Sequence, residues 1–219
     1  MTTDLSRILV LVRHGQSEDN AQDLFSGLRD PALTDRGVDE ARAAGRELRR
    51  LGLSFTHAFT SALTRARRTM GLVLAELGQS DLPVEADPAL NERDYGELAG
   101  LNKTQARDRF GVEQVRVWRK SFHAVPPGGE SLAMTADRVW PFYERRIAPA
   151  VRNGGRALLV GHGNALRSML MRLDGIDPET IEDVNIGTAQ ILVYGLTADG
   201  DRLVKASLPD APGEDLRRA

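Results

Sequence analysis

Ile8-Leu9-Val10-Leu11-Val12-Arg13-His14-Gly15 and, far along the chain, Ala157-Leu158-Leu159-Val160-Gly161-His162-Gly163 share one build: an apolar run that stops at a His-Gly pair and is followed by a helix-like stretch. A short β-branched apolar run without polar alternation reads as a parallel strand buried on both faces. Ligands of open α/β sheets gather at the carboxyl ends of such strands. Both histidines are therefore expected where chemistry takes place. A lone His-Gly pair would read as a turn whose glycine supplies positive φ; two copies, one preceded by arginine, weigh against that.

Working outward, Val38, Ala41, Ala44, Leu48 and Leu51 recur at three to four residues, which predicts an amphipathic helix capped by Thr34 and ended near Gly52. Phe55 to Thr60 is a second strand, and Ser61 is expected to cap a helix whose apolar face carries Leu63, Ala66, Met70, Val73, Leu74 and Leu77. Arg65 then falls in a first helical turn beside the strand ends, where amide groups favour anions. Residues 81 to 127 are the least periodic, with a strand over Leu82 to Ala86 and helical pieces over Lys103 to Phe110 and Val112 to Lys120; Tyr95, Phe110, Trp118 and Phe122 argue for order. Glu130-Ser131 starts a long helix through about Val151, kinked at Pro141. Asn164 to Leu173 is the helix after the second His-Gly strand. Gln190 to Tyr194 and Leu203 to Ser207 form a closing antiparallel hairpin. The pattern predicts an α/β fold, a three-layer α/β/α sandwich with a mainly parallel sheet and an added antiparallel strand.

The 219 residues suffice for one domain, 1-219, with 209-219 as a polar, mobile tail. With 29 basic and 31 acidic residues the formal net charge is -2, so no global field would hold nucleic acid or an anionic membrane, and an anionic ligand must meet locally clustered arginines. The absence of cysteine removes disulfides and thiolate chemistry. The N-terminus lacks the pattern of a secretory signal and no apolar stretch approaches a membrane span, so a cytoplasmic location is the expectation.

Several motifs fail on inspection. Gly161-His162-Gly163-Asn164-Ala165-Leu166 has leucine where a dinucleotide fingerprint needs its third glycine, and Asn102 stands where a phosphate loop needs glycine before Lys103. No His-Glu-x-x-His run and no Gly-x-Ser-x-Gly elbow is present. His57 and His123 read as structural or solvated.

Leu11-Val12-Arg13-His14-Gly15-Gln16-Ser17-Glu18-Asp19-Asn20 resembles the Arg-His-Gly signature of the histidine phosphatase superfamily. Ser26-Gly27, Leu33-Thr34-x-x-Gly37, Thr60-Ser61-x-Leu63-x-Arg65-Ala66, Leu90-Asn91-Glu92-Arg93-x-Tyr95-Gly96, Leu101-Asn102-Lys103 and Gly161-His162-Gly163-Asn164 follow in the order and rough spacing of its 2,3-bisphosphoglycerate-dependent phosphoglycerate mutases. The resemblance covers about residues 7 to 195. It departs at Ser26, where threonine is usual, at Asp94 for histidine, at Lys120 for a second arginine, at Asp19 for tryptophan, and in a shortened stretch at 127 to 130.

The resemblance implies a phosphoglycerate mutase-like fold and an isomerase of glycolysis and gluconeogenesis. It would interconvert 3-phosphoglycerate and 2-phosphoglycerate, small phosphorylated three-carbon acids, primed by 2,3-bisphosphoglycerate and needing no metal. His14 would be the phosphorylated residue, since a neutral imidazole is a nucleophile whose N-P bond is readily attacked again. Arg13, Arg65 and His162 would meet the charge of the transferring phosphoryl group, helped by Asn20 and Gly163. Glu92 would be the general acid and base; on its residue alone it reads equally as an ion-pair partner of Arg93 or another arginine. Arg93, Tyr95, Lys103, Arg119 and Lys120 would bind the carboxylate and the non-transferring phosphate, with Ser26, Gly27 and Asn164 completing the set. A basic run such as Arg116 to Lys120 is also a common solvated helix face. The rival readings are a phosphatase of the same superfamily, suggested by Gly128-Gly129-Glu130-Ser131, and a non-catalytic phospholigand-binding module. A homo-oligomer is compatible with all of them.

Overall fold

The computed structural model describes residues 4–197 and 203–205; the expected tail at 209-219 and the end of the closing hairpin lie outside them. The first apolar run forms β1 (Asp4–Arg13) and the second β4 (Arg156–Gly161), and the two pair in parallel. β2 (His57–Ser61) lies on the other side of β4 and β3 (Val84–Asp87) beyond it, both parallel. β3 starts two residues later than its apolar run because Pro83 has no N–H to give to the ladder. β5 (Ile191–Leu196) runs antiparallel to β1 and carries β6 (Leu203–Lys205), so the order is β3-β2-β4-β1-β5-β6. β5 is thus the added strand that runs against the others, and β6, antiparallel to β5, runs in the sense of β1.

Alternate residues of the central strands feed two separate cores, the expected signature of strands covered on both faces. Leu9, Leu11 and Leu159 pack with α6 (Leu132–Phe142), α7 (Ala148–Arg152) and α8 (Gly163–Leu173). Ile8, Val10, Val12, Leu158 and Val160 pack against α2 (Asp35–Arg50) and α3 (Thr64–Glu76). These residues are essentially inaccessible, and burying each large aliphatic side chain contributes about 1.5–3 kcal/mol. Thr34 caps α2 through its hydroxyl and Gly37 N–H, as its sequence requires.

Two local expectations are corrected. Ser61 does not cap α3; the cap position falls on Leu63, without a side-chain bond. The long helix from Ser131 is not continuous α-helix: after Pro141, which has no N–H for the ladder, residues Tyr143–Ile147 form a single π turn before α7. The irregular stretch 81 to 127 folds over the carboxyl edge of the sheet as two 3-10 turns, α4 (Lys103–Phe110) and α5 (Val112–Lys120), held by a small core of Phe25, Leu98, Ala106 and Val115. That cap roofs the ends of β1 and β4.

Candidate active site

The register of β1 on β4 sets the centre of the site. Arg13 pairs with Gly161, and His14 N–H continues the ladder by donating to Gly161 O at 2.9 Å, so His14 and His162 leave adjacent strand ends side by side. Their ring centroids are 5.0 Å apart. The chain turns at Gly15, where a Cβ would stand 2.1 Å from the carbonyl oxygen of Gly37; only glycine fits. Gly15 N–H donates to Thr69 on α3, which ties the turn to the helix bearing Arg65.

His14 is buried, and its Nδ1 lies 2.7 Å from Gly15 O. A carbonyl oxygen only accepts, so Nδ1 carries the proton and Nε2 keeps a lone pair for the cavity that His14 lines. Burial, followed by the positive charges of Arg13 and Arg65, holds its pKa well below the usual imidazole value. His162 is held low in the same way, by burial and then by Arg65, His14 and Arg13. Both rings are neutral near pH 7. His162 Nε2 lies 2.7 Å from Ser61 Oγ, and its Nδ1 is buried without a partner among the described residues.

Arg13 anchors one nitrogen on Ile186 O (2.6 Å), and Arg65 anchors two on Arg29 O (2.7 Å) and Gly27 O (3.0 Å). Each leaves its buried Nε–H without an acceptor among the described residues. Glu92 Oε1 accepts from Arg93 N (2.8 Å) and from Asn164 N (3.0 Å) in the first turn of α8, while Oε2 has only a long 3.4 Å approach from Asn164 N. The alternative of Glu92 as a direct ion-pair partner of Arg93 is not what forms, because the Arg93 guanidinium turns the other way.

Arg13, His14, Arg65 and Glu92 line a cavity of about 160 Å³, together with Asn20, Ser26, Gly27, Tyr95, Lys103, Arg119, Lys120, Gly163 and Asn164. Asn20 spends Oδ1 on Ser17 N–H, which leaves its Nδ2 group as the donor for the cavity. Tyr95 OH accepts from Asn164 Nδ2 (3.2 Å), and Gly163 leaves room beside Glu92 and Arg13. Lys103 pairs with Asp23, and Lys120 donates to Glu182 O (3.1 Å) and Asn185 Oδ1 (2.8 Å). Burial, then Arg167 and Arg119, lower the Lys120 pKa. Arg119 lies over the Phe25 ring at 6.0 Å.

Two predicted residues stand outside the lining. His162 sits behind it, reaching the site through its ring beside His14. Arg93 is fully buried, lies over the Tyr95 ring at 4.5 Å and donates to the carbonyls of Trp118 (2.8 Å) and Arg119 (3.2 Å). A cation at a helix C-terminus is favourable, and Arg93 there supports the end of α5 that presents Arg119 and Lys120. Sequence reasoning missed Arg167, Asn185 and Ile186, which also line the cavity. Arg167 holds Asn164 Oδ1 (3.0 Å) and the carbonyls of Lys120 (3.1 Å) and Ile181 (2.7 Å). Its position three residues after Asn164 on one helix face was the available signal. Nothing in the sequence marks Ser61 as the partner of His162.

Residues 9–208 match the model of the histidine phosphatase superfamily (branch 1). A protein of Methylobacterium sp. (strain 4-46) named 2,3-bisphosphoglycerate-dependent phosphoglycerate mutase is 56% identical over 195 residues, 89% of this chain and 94% of its own. One of the same name from Parvibaculum lavamentivorans is 51% identical over 204 residues, 93% and 97% of the two chains. Among solved structures, a putative alpha-ribazole-5'-P phosphatase from Escherichia coli K-12 aligns with a TM-score of 0.75 at 27% identity, over 95% of this chain and 98% of its own. With its paired strand-end histidines, its arginine cluster and these relatives, the chain belongs to the histidine phosphatase superfamily (branch 1).

Proposed function

We propose that this chain is a 2,3-bisphosphoglycerate-dependent phosphoglycerate mutase, interconverting 3-phosphoglycerate and 2-phosphoglycerate through phosphorylation of His14. The observation that carries this reading is a second group of cations, Lys103, Arg119, Lys120 and Arg167, lining the same cavity as the catalytic cluster. A simple phosphoester needs one anion site. A phosphoglycerate that must accept a second phosphoryl group and turn over without escaping needs cations for a carboxylate and another phosphate at once. Relatives at 51–56% identity carrying the mutase name support the same choice.

His14 Nε2 attacks phosphorus while the P–O bond to the departing oxygen breaks. Arg13 and Arg65 meet the charge on the transferring oxygens, and His162 Nδ1–H adds a neutral donor. Glu92 gives its proton to the departing oxygen. It then removes one from the hydroxyl that takes the phosphoryl group back, a role worth roughly 10²- to 10⁴-fold. Bound 2,3-bisphosphoglycerate supplies the phosphoryl group that first charges the histidine. The fit is reasonable: Arg13, Arg65 and Arg167 each keep a buried, unpartnered Nε–H in the residues that line the cavity, a donor set suited to a highly anionic acid.

The arginine donors are guanidinium N–H groups, which meet anions and do not ligate cations. Among the described residues no group of three or more His, Cys, Asp or Glu is placed to hold a metal. We assign charge neutralisation to the arginines on the strength of their guanidinium donors in the cavity lining. Among the described residues no helix is long and apolar enough to cross a membrane, and the glycolytic reading makes the cytoplasm the expected location. The whole of 1-219 is read as one domain, and the partners as small phosphorylated three-carbon acids, with homo-oligomerisation compatible with the site.

A second reading, hydrolysis of small phosphoesters, is favoured by the phosphatase named among the structural neighbours. Conversion of 3-phosphoglycerate with and without 2,3-bisphosphoglycerate separates the two. Primed isomerisation unaffected by EDTA is expected. Fast phosphoester hydrolysis without primed isomerisation would make this a phosphatase.

A further inference from the structure

Glu92 lies in a stretch without helix or strand, between the 3-10 turns Pro88–Leu90 and Gly96–Leu98. Its carboxylate is fixed by Arg93 N–H and Asn164 N–H, but its backbone has no ladder to hold it. One guanidinium takes that place. Arg138, on α6, donates from Nη1 to the carbonyls of Ala89 (3.0 Å) and Asn91 (2.8 Å) and from Nη2 to that of Glu92 (2.9 Å). Nε and Nη2 also grip Glu130 as a fork, at 3.0 and 2.9 Å. Glu130 completes the frame from the other side: Oε2 accepts Asp94 N–H (3.1 Å), and Glu130 N–H donates to Asp94 O (2.9 Å).

We propose that the Arg138–Glu130 pair is a positioning clamp for Glu92, and that this is what the Gly128-Gly129-Glu130-Ser131 motif does in this chain. Gly129 permits the approach, since a Cβ there would stand 2.7 Å from Asp94 O. Ser131 caps α6 through Met134 N–H and so fixes Glu130 at the helix entrance, with Arg138 two turns on. Neither partner lines the cavity. The clamp therefore acts through Glu92, not on the substrate. Five donors in a planar fork suit guanidinium; an ammonium could not span the three carbonyls.

The proposal rests on the reading of Glu92 as the general acid, and it has a consequence that a purely structural brace lacks. In the first half-reaction Nε2–P forms, P–O breaks, and the Glu92 proton goes to the departing oxygen. An alkoxide needs that proton; p-nitrophenolate, a stable anion, does not. The test is single-turnover phosphorylation of His14 in the full chain, from 2,3-bisphosphoglycerate and from p-nitrophenyl phosphate. Displacing a catalytic group by about 1 Å costs on the order of 10²-fold. Arg138→Met should then slow phosphorylation from bisphosphoglycerate about 30- to 100-fold and that from p-nitrophenyl phosphate less than about threefold, up to the lower bound of what losing a general acid outright costs, roughly 10²-fold. Glu130→Gln, which keeps shape and loses the ion pair, should show the same selectivity on the order of five- to tenfold, and decides the matter if Arg138→Met does not fold. Equal slowing with both donors, or no slowing with either, overturns the clamp. Glu92→Gln calibrates the assay: if it slows both donors alike, the assignment of Glu92 fails instead.

Discussion

Removing the Ser61 hydroxyl should disable His162 without touching the cavity wall. Ser61 ends β2 and is fully buried; its Oγ accepts Leu63 N–H at 3.2 Å and lies 2.7 Å from His162 Nε2. Leu63 N–H can only donate, so Nε2 is the partner left to accept the hydroxyl proton, and we assign it there. That places the ring proton of neutral His162 on Nδ1, the atom with no partner among the described residues. Ser61→Ala leaves both Nε2 and the Leu63 N–H buried and unpaired, at about 1–3 kcal/mol each. It also frees the ring to exchange tautomers, so the donor toward the transferring phosphoryl group is no longer assured. A hydrogen bond to a charged group is worth about 1.5–3 kcal/mol, or roughly 10- to 100-fold in rate at 1.36 kcal/mol per factor of ten. Since that bond matters most when charge develops, kcat should fall by about that factor with KM little changed. Steady-state isomerisation kinetics with a thermal melt in parallel would read both effects, the melt falling several degrees at roughly 2–4 °C per kcal/mol. Ser61→Ala with wild-type kcat would refute the role given to the Ser61–His162 bond.

The double substitution Arg119→Ala, Lys120→Ala should lower isomerisation of 3-phosphoglycerate by on the order of 10²-fold while small-phosphoester hydrolysis falls less than about threefold, because only the first reaction needs the second anion site; equal losses would contradict that division. An NMR titration should find His14 and His162 still neutral as pH falls through 6.5, since burial and then the neighbouring arginine charge depress both. The unfolded rings bind protons near their ordinary value and the folded ones do not. Stability is therefore fully present above about pH 6.5 and declines below it, by up to about 1.4 kcal/mol per pH unit for each ring. A midpoint at or above 6.5 for either ring would contradict the burial argument.

What the sequence revealed was local. Ile8 to Val12 and Ala157 to Val160 could only be buried strands, and the histidines after them had to share one sheet edge; Thr34 and Gly37 marked the start of α2 as plainly. Contacts between distant segments were not legible. Ser61 read as a cap because a serine before a helix usually is one, and only the strand order β2-β4 brings it to His162. Arg93 read as a ligand by its place beside Glu92, yet its side chain turns to the end of α5, 25 residues on. Glu130 was legible only as part of the Gly128-Gly129-Glu130-Ser131 motif and Arg138 not at all, and their grip on residues 89 to 94 follows from tertiary packing of α6. Helix length failed at Pro141, where the missing N–H is followed by a π turn instead of a plain kink.

The central claim is that His14 carries the phosphoryl group on one particular nitrogen. Because Nδ1–H is held at 2.7 Å by Gly15 O, only Nε2 is left to attack. Heteronuclear NMR of the chain labelled with nitrogen-15 and charged with 2,3-bisphosphoglycerate should show a single acid-labile phosphohistidine at His14, bonded through Nε2 and absent from His14→Ala. Phosphorus on Nδ1, on His162, or surviving in His14→Ala would contradict the account.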